Sequence, residues 1–267
     1  MNIVSGRFTL PFDRTERLEH DGVELAYRRT SGDPSRAGLV WLGGFHSDMA
    51  GEKASQLHAA AMAAERSFVR FDYQGHGESG GRFAEGTIGR WRSDALAVID
   101  QLTVGPLILV GSSMGGWMAL LAALVRPERV KGLMLIAPAP DFTERLMWGR
   151  FDDSVRQQIL DTGAWTRPSA YDPAGYPITR ALIEEGRAWS IMDGEIAVDC
   201  PVRVLQGGMD DDVPWTHSFE LVGALRTADV DWTFIKDGDH RLSRPQDIAT
   251  MIVLALALAD YVDRPRD

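Results

Sequence analysis

One cysteine, Cys200, serves all 267 residues, so no disulfide can form within the chain. That scarcity suits a reducing compartment. The N-terminus also lacks a basic region followed by an apolar stretch, so the expectation is a cytoplasmic protein without a signal peptide. Cys200 precedes Pro201 at the approach to a strand and reads as a buried structural thiol rather than a nucleophile. Long apolar runs are missing too. The one near the C-terminus, Met251 to Ala259, is about half of what a membrane span needs. A basic surplus is also absent: 28 Lys and Arg face 38 Asp and Glu, for a formal net charge of −10. This excludes the electropositive footprint of a nucleic-acid binder and leaves solubility as the reading of the acidity. With no internal repeat and no low-complexity linker, residues 1–267 read as a single domain.

What is present is an alternation of strand-like and helix-like segments, which predicts an α/β protein with a mostly parallel central sheet and helices on both faces. The strand candidates are Val23 to Arg29, Leu39 to Leu42, Ser67 to Asp72, Leu107 to Val110, Val130 to Ala137, Val202 to Gln206 and Val230 to Ile235. Helical spacing or composition marks Ala54 to Glu65, Ile88 to Leu102, Trp117 to Val125, Phe219 to Leu225 and Ile248 to Tyr261. The alternation fails between about residues 141 and 198, a stretch too long for an ordinary loop. It reads as a cap insertion over one end of the sheet, with helices at Asp153 to Leu160 and Thr179 to Trp189. Five aromatics, Trp148, Trp165, Tyr171, Tyr176 and Trp189, either fasten this insertion to the core or face a substrate. Trp148, Trp165 and Trp189 are the candidate substrate-binding residues.

The chemistry centres on Gly111-Ser112-Ser113-Met114-Gly115, a Gly-x-Ser-x-Gly sequence between a buried strand and a helical pattern. This is the nucleophile elbow: a tight strand-to-helix turn lifts the serine hydroxyl above the sheet, and side chains two residues to either side would collide. A serine hydroxyl needs a base, and the base needs an orienting acid. Both follow in the order serine, acid, histidine. Gly207-Gly208-Met209-Asp210-Asp211-Asp212-Val213-Pro214 follows one strand, and Gly238-Asp239-His240 follows the next. Of the other histidines, His20, His58 and His217 read as structural, while His46 and His76 fall in loops bordering the site. No pair has zinc-site spacing, and neither a metal nor an organic cofactor is expected.

These motifs resemble those of the α/β-hydrolase superfamily. The resemblance implies a catalytic triad of Ser113, Asp210 and His240, the first aspartate of the acid loop being the triad member. It also implies an oxyanion hole built from the backbone N–H groups of Met114 and Phe45. Gly43-Gly44 precedes Phe45 where the family often has His-Gly. Arg70 to Ser79 resembles the family's Asp-x-x-Gly-x-Gly-x-Ser turn. Phe45 to Met49, Gly51-Glu52-Lys53-Ala54, Pro177 to Arg180 and Gly238 to Ser243 resemble one branch, that of a mitochondrial depalmitoylase and acyl-glucuronide esterase.

The expected function is a serine esterase or thioesterase acting on apolar acyl groups of small molecules or acylated proteins. The same triad also supports proline iminopeptidases, carbon–carbon bond hydrolases and cofactor-free haloperoxidases. Arg150, Arg180 and Arg187 are candidate anchors for such substrates. A dehalogenase is disfavoured, since its nucleophile would be aspartate. The remaining alternative is a non-catalytic ligand binder on the same scaffold, against which an intact triad argues.

Overall fold

The computed structural model describes residues 14–168 and 175–264. Its strands are β1 (Glu16–His20), β2 (Val23–Thr30), β3 (Gly38–Leu42), β4 (Phe68–Phe71), β5 (Leu107–Ser112), β6 (Val130–Ile136), β7 (Ala164–Arg167), β8 (Tyr176–Thr179), β9 (Val202–Gly207) and β10 (Val230–Ile235). All but β7 and β8 join one eight-stranded sheet, in the order β1-β2-β4-β3-β5-β6-β9-β10. β2 runs antiparallel to both its neighbours, and every pairing from β4 to β10 is parallel.

The helices are α1 (Glu52–Ala63), α2 (Ile88–Leu102), α3 (Met114–Val125), α4 (Asp153–Thr162), α5 (Arg180–Gly186), α6 (Trp215–Ala224) and α7 (Pro245–Val262). Because side chains alternate along a strand, β5 serves two cores. Leu107 and Leu109 pack with Trp91, Val98 and the buried residues of α3, whereas Ile108 and Val110 pack with Leu57 of α1 and Met251 of α7. Burial on both sides explains why β3, β5 and β6 are nearly continuous apolar runs. Each fully buried Leu, Ile or Val contributes about 1.5–3 kcal/mol relative to exposure. This is the expected arrangement of a mostly parallel sheet covered on two faces.

The details depart from the sequence reading in several places. β1 is an extra edge strand, half-buried and exposed by turns, that the charged run Glu16–His20 conceals. α3 begins at Met114, three residues before the expected start, because the helix is launched directly from the elbow. The segment between β6 and β9 contains the expected helices as α4 and α5, and also a β7–β8 antiparallel hairpin pairing Trp165 with Ile178. Tyr171 lies outside the described residues. Lastly, α7 is longer than the apolar run suggested. By length and composition its 18 residues are enough to cross a membrane, yet Ile248, Met251, Ala255, Leu258 and Ala259 are buried against the sheet. Cys200 is half-buried.

Candidate active site

Ser113 sits between the end of β5 and the first turn of α3 with φ 55° and ψ −117°, a conformation that side chains disfavour. The surroundings over-determine it. Its N–H donates to Ile136 O at 2.9 Å, and its carbonyl accepts from Gly116 N at 2.9 Å and Ala139 N at 3.1 Å. The flanking glycines are dictated by space. A Cβ on Gly111 would lie 2.3 Å from Gly115 O, and one on Gly115 would lie 2.0 Å from Leu42 O.

The acid and the base come from the loops after β9 and β10, which lean on one another. Met209 N donates to Gly238 O at 2.8 Å, and a Cβ on Gly207 would meet that same oxygen at 2.5 Å. Asp210, 6% exposed, points Oδ2 at His240 Nδ1 across 2.8 Å. Its Oδ1 accepts the N–H groups of Asp212 at 3.0 Å and Val213 at 2.8 Å, and Gln206 Nε2 donates to Oδ2 at 3.2 Å. Asp211 and Asp212 are exposed and face no histidine nitrogen. His240 and Ser113 line the same cavity without a direct hydrogen bond between their side chains. Such links often tighten only when substrate is bound.

Neither the Phe45 nor the Met114 amide donates to another group among the described residues, which leaves both available to an oxyanion. The strap carrying Phe45 is braced from below. His46, at φ 58°, donates its backbone N–H to His76 Nε2 at 3.2 Å. His76 Nδ1 in turn donates to Gln74 O at 3.2 Å, so Nδ1 carries the proton and Nε2 is the acceptor. Burial among Tyr73, Phe83 and Trp91 pushes the His76 pKa down to about 4 and keeps the ring neutral. Asp72 ties the same strap to the glycine-rich turn, accepting from Met49 N at 2.6 Å and Glu78 N at 2.8 Å.

His76 is therefore a positioning residue. His76→Phe, which keeps a ring but removes the acceptor, is expected to lower kcat about tenfold with little change in KM. It carries a stability signature as well. The unfolded histidine binds a proton near pH 6.5 and the folded one only near 4. Stability is thus lost as pH falls through this window, by about 1.4 kcal/mol per pH unit for one proton. Chemical denaturation of wild type and variant between these limits should show that slope reduced in His76→Phe. Burial also lowers the His217 pKa, so a residual slope from that group is expected in both.

The cavity over Ser113 has a volume of about 390 Å3. Phe142, Leu146, Met147, Phe151, Trp165 and Tyr176 supply its apolar wall. Of the three candidate tryptophans only Trp165 lines it. The Trp148 ring is contacted by the guanidinium groups of Arg156 and Arg187, and Trp189 donates to Glu185 at 2.7 Å beneath Arg92. These two fasten the segment in place. The residues that the sequence reading missed, Phe142, Leu146, Met147 and Phe151, recur at near-helical intervals just after β6, which was the available signal. Arg150 also lines the cavity, with weak contacts to the carbonyls of Asp211 and Asp212 at 3.5 and 3.4 Å. Arg180 and Arg187 are paired with Glu184 and Glu144 at 2.6 and 2.7 Å. The remaining histidines have structural partners: Ser93 for His20, Thr30 and Arg70 for His58, and Pro140 O for His217. Among the described residues no group of three His, Cys, Asp or Glu is placed to hold a metal ion.

Residues 33–169 match the family model described as serine aminopeptidase, S33. The chain is 38% identical over 90% of its length, and 79% of the relative's, to the mitochondrial palmitoyl-protein thioesterase ABHD10 of Mus musculus. A solved structure from Agrobacterium vitis S4, provisionally called a hydrolase, superposes with a TM-score of 0.88 at 42% identity, covering 92% of this chain and 98% of that one. The α/β-hydrolase domain-containing protein 10 from mouse superposes with a TM-score of 0.85 at 36% identity, covering 93% and 99%. The mitochondrion in the mouse relative's name gives the cytoplasmic expectation no support.

Proposed function

The chain belongs to the serine aminopeptidase S33 family of α/β hydrolases, near the branch of palmitoyl-protein thioesterase ABHD10, and from that premise we propose that it hydrolyses thioesters and esters of apolar acyl groups, S-acylated proteins among them. One observation carries the reading. Ser113 and His240 open into a 390 Å3 cavity whose far wall is aromatic and aliphatic, a space suited to an acyl chain. We take residues 141–198 as the cap that supplies this wall.

The mechanism follows from the geometry. Ser113 Oγ attacks the acyl carbon while His240 Nε2 takes its proton. Asp210 holds Nδ1–H, so that Nε2 is free to act as the base, and stabilises the imidazolium once formed. The carbonyl oxygen becomes an oxyanion facing the Phe45 and Met114 amides, aided by the positive end of α3. The bond from carbon to the leaving oxygen or sulfur then breaks, and the leaving atom takes the proton from His240. Water, activated by the same histidine, repeats the attack on the acyl-enzyme and frees Ser113.

A series of p-nitrophenyl esters and acyl thioesters of increasing chain length tests the reading. Each methylene buried in the cavity should raise kcat/KM about fourfold until the space is filled. A flat or falling series would remove the apolar acyl pocket. No turnover at all, with Ser113 still labelled by a fluorophosphonate, would shift the reading to another bond cleaved by the same residues.

A further inference from the structure

Ser113, His240 and Phe45 border a second hollow, of about 250 Å3, closed by the Gly43–Ser47 strap, the start of α1, Ser112 and the chain from Arg241 to Ser243. Apart from Phe45 it shares none of the large apolar side chains of the acyl cavity. Its distinctive group is Lys53. Lys53 is half-buried, and its ammonium donates to the carbonyl of Arg241 and lies 3.4 Å from Ser112 Oγ. Both partners are neutral, and among the described residues no carboxylate forms an ion pair with it.

The placement is electrostatically adverse. Lys53 stands in the first turn of α1, where the helix end is already positive. Burial, with the Arg241 charge added, pulls its pKa down to about 8. Three carboxylates act against that pull, but each is engaged elsewhere: Asp239 with Leu242 N, Asp210 with His240, and Asp247 with Arg244. Asp48 and Glu52 also line the hollow, at its exposed side, where Asp48 accepts from Ala50 N and Glu52 accepts from Gln56. There, solvent and salt screen their charge. A cation held beside Ser112, with no carboxylate in an ion pair with it, is costly, and an anion arriving with the substrate would relieve that cost.

We propose that this second hollow receives the leaving-group side of the substrate, and that Lys53 selects acylated cysteines flanked by an acidic side chain. The inference rests on the thioesterase reading above. With the acyl chain in the apolar cavity, the departing cysteine sulfur faces His240, which protonates it. The neighbouring residue of the peptide then lies against Lys53.

The experiment compares S-octanoyl-cysteine peptides that differ in one flanking residue, Asp, Asn or Lys, on wild type, Lys53→Met and Lys53→Arg. Thermal melts of all three proteins accompany the kinetics. In the wild type, kcat/KM for the Asp peptide should exceed that for its Asn isostere by about tenfold, with the Lys peptide slowest. Lys53→Met should bring the Asp/Asn ratio close to unity, and Lys53→Arg should keep most of it. Equal rates for Asp and Asn in the wild type overturn the proposal. So does a Lys53→Met variant that slows both peptides alike, since Lys53 would then only brace α1 to the histidine loop. Octanoyl thioesters of mercaptoacetate and 2-mercaptoethanol form a further arm. A preference confined to that pair would overturn the peptide assignment in favour of a small acid. If the wild type cleaves none of these thioesters, the thioesterase reading fails and takes the proposal with it. Loss of the flanking preference alone leaves the thioesterase reading standing.

Discussion

Ser113→Gly should yield a protein that no longer hydrolyses acyl esters yet melts at a higher temperature than the wild type. The loss follows from removing the hydroxyl proposed to attack, and should reach about 10⁴-fold or more in kcat. The gain follows from the backbone. At φ 55° and ψ −117° a residue with a Cβ is strained, and glycine is not. Against that relief stands the extra freedom glycine has in the unfolded chain, so the net should be about 1 kcal/mol, or about 2–4 °C for a domain of this size. Ser113→Ala separates the two effects, since it should be equally inactive without the stabilisation. Calorimetry beside an ester assay provides both readouts. An alanine variant with residual turnover near wild type would remove Ser113 as nucleophile. A glycine variant that melts lower would mean the elbow stores no strain.

The second large effect is expected of Asp210→Asn, a fall in kcat of about 10⁴-fold with modest change in stability. The reasoning is about where an amide must point. The backbone N–H groups of Asp212 and Val213 both donate to Oδ1, so an asparagine will keep its oxygen there. Its NH2 then replaces Oδ2, opposite His240 Nδ1. Two donors cannot face each other, so the imidazole moves its proton to Nε2, the nitrogen that must be bare to accept from serine. The same NH2 meets Gln206 Nε2, another donor, which is the source of the small cost in stability. A pH–rate profile and a melting curve of the variant test both parts. Activity within about tenfold of wild type would show that the acid contributes little to holding the base, contrary to the usual weight of this residue.

The three residues of the proposed triad could be singled out from sequence because each stands on a turn that restricts what surrounds it. Gly111 and Gly115, Gly207 before Asp210, and Gly238 before His240 all mark points where strands and loops approach too closely for side chains. The aromatic segment was legible only as composition. Whether Trp148 or Trp165 turns toward the cavity depends on arginines from other elements, and a run of residues carries no record of those contacts. β1 was hidden for a different reason: an edge strand with wet sides can be made of charges. Lys53 was invisible as chemistry because its partner carbonyl, on Arg241, is 188 residues away along the chain.

The closed space at the elbow has a consequence for descent. Any lineage that keeps this sheet must keep glycine at 111 and 115, whether or not it still cleaves anything, because the alternative is a collision with Gly115 O or Leu42 O. The side chain at 113, by contrast, meets no such collision and can change while both glycines stay. A descendant that had abandoned hydrolysis by losing its nucleophile would therefore still display the two glycines around the changed residue. Among sequences sharing this frame, the pair of glycines dates the architecture, and the serine between them reports the trade.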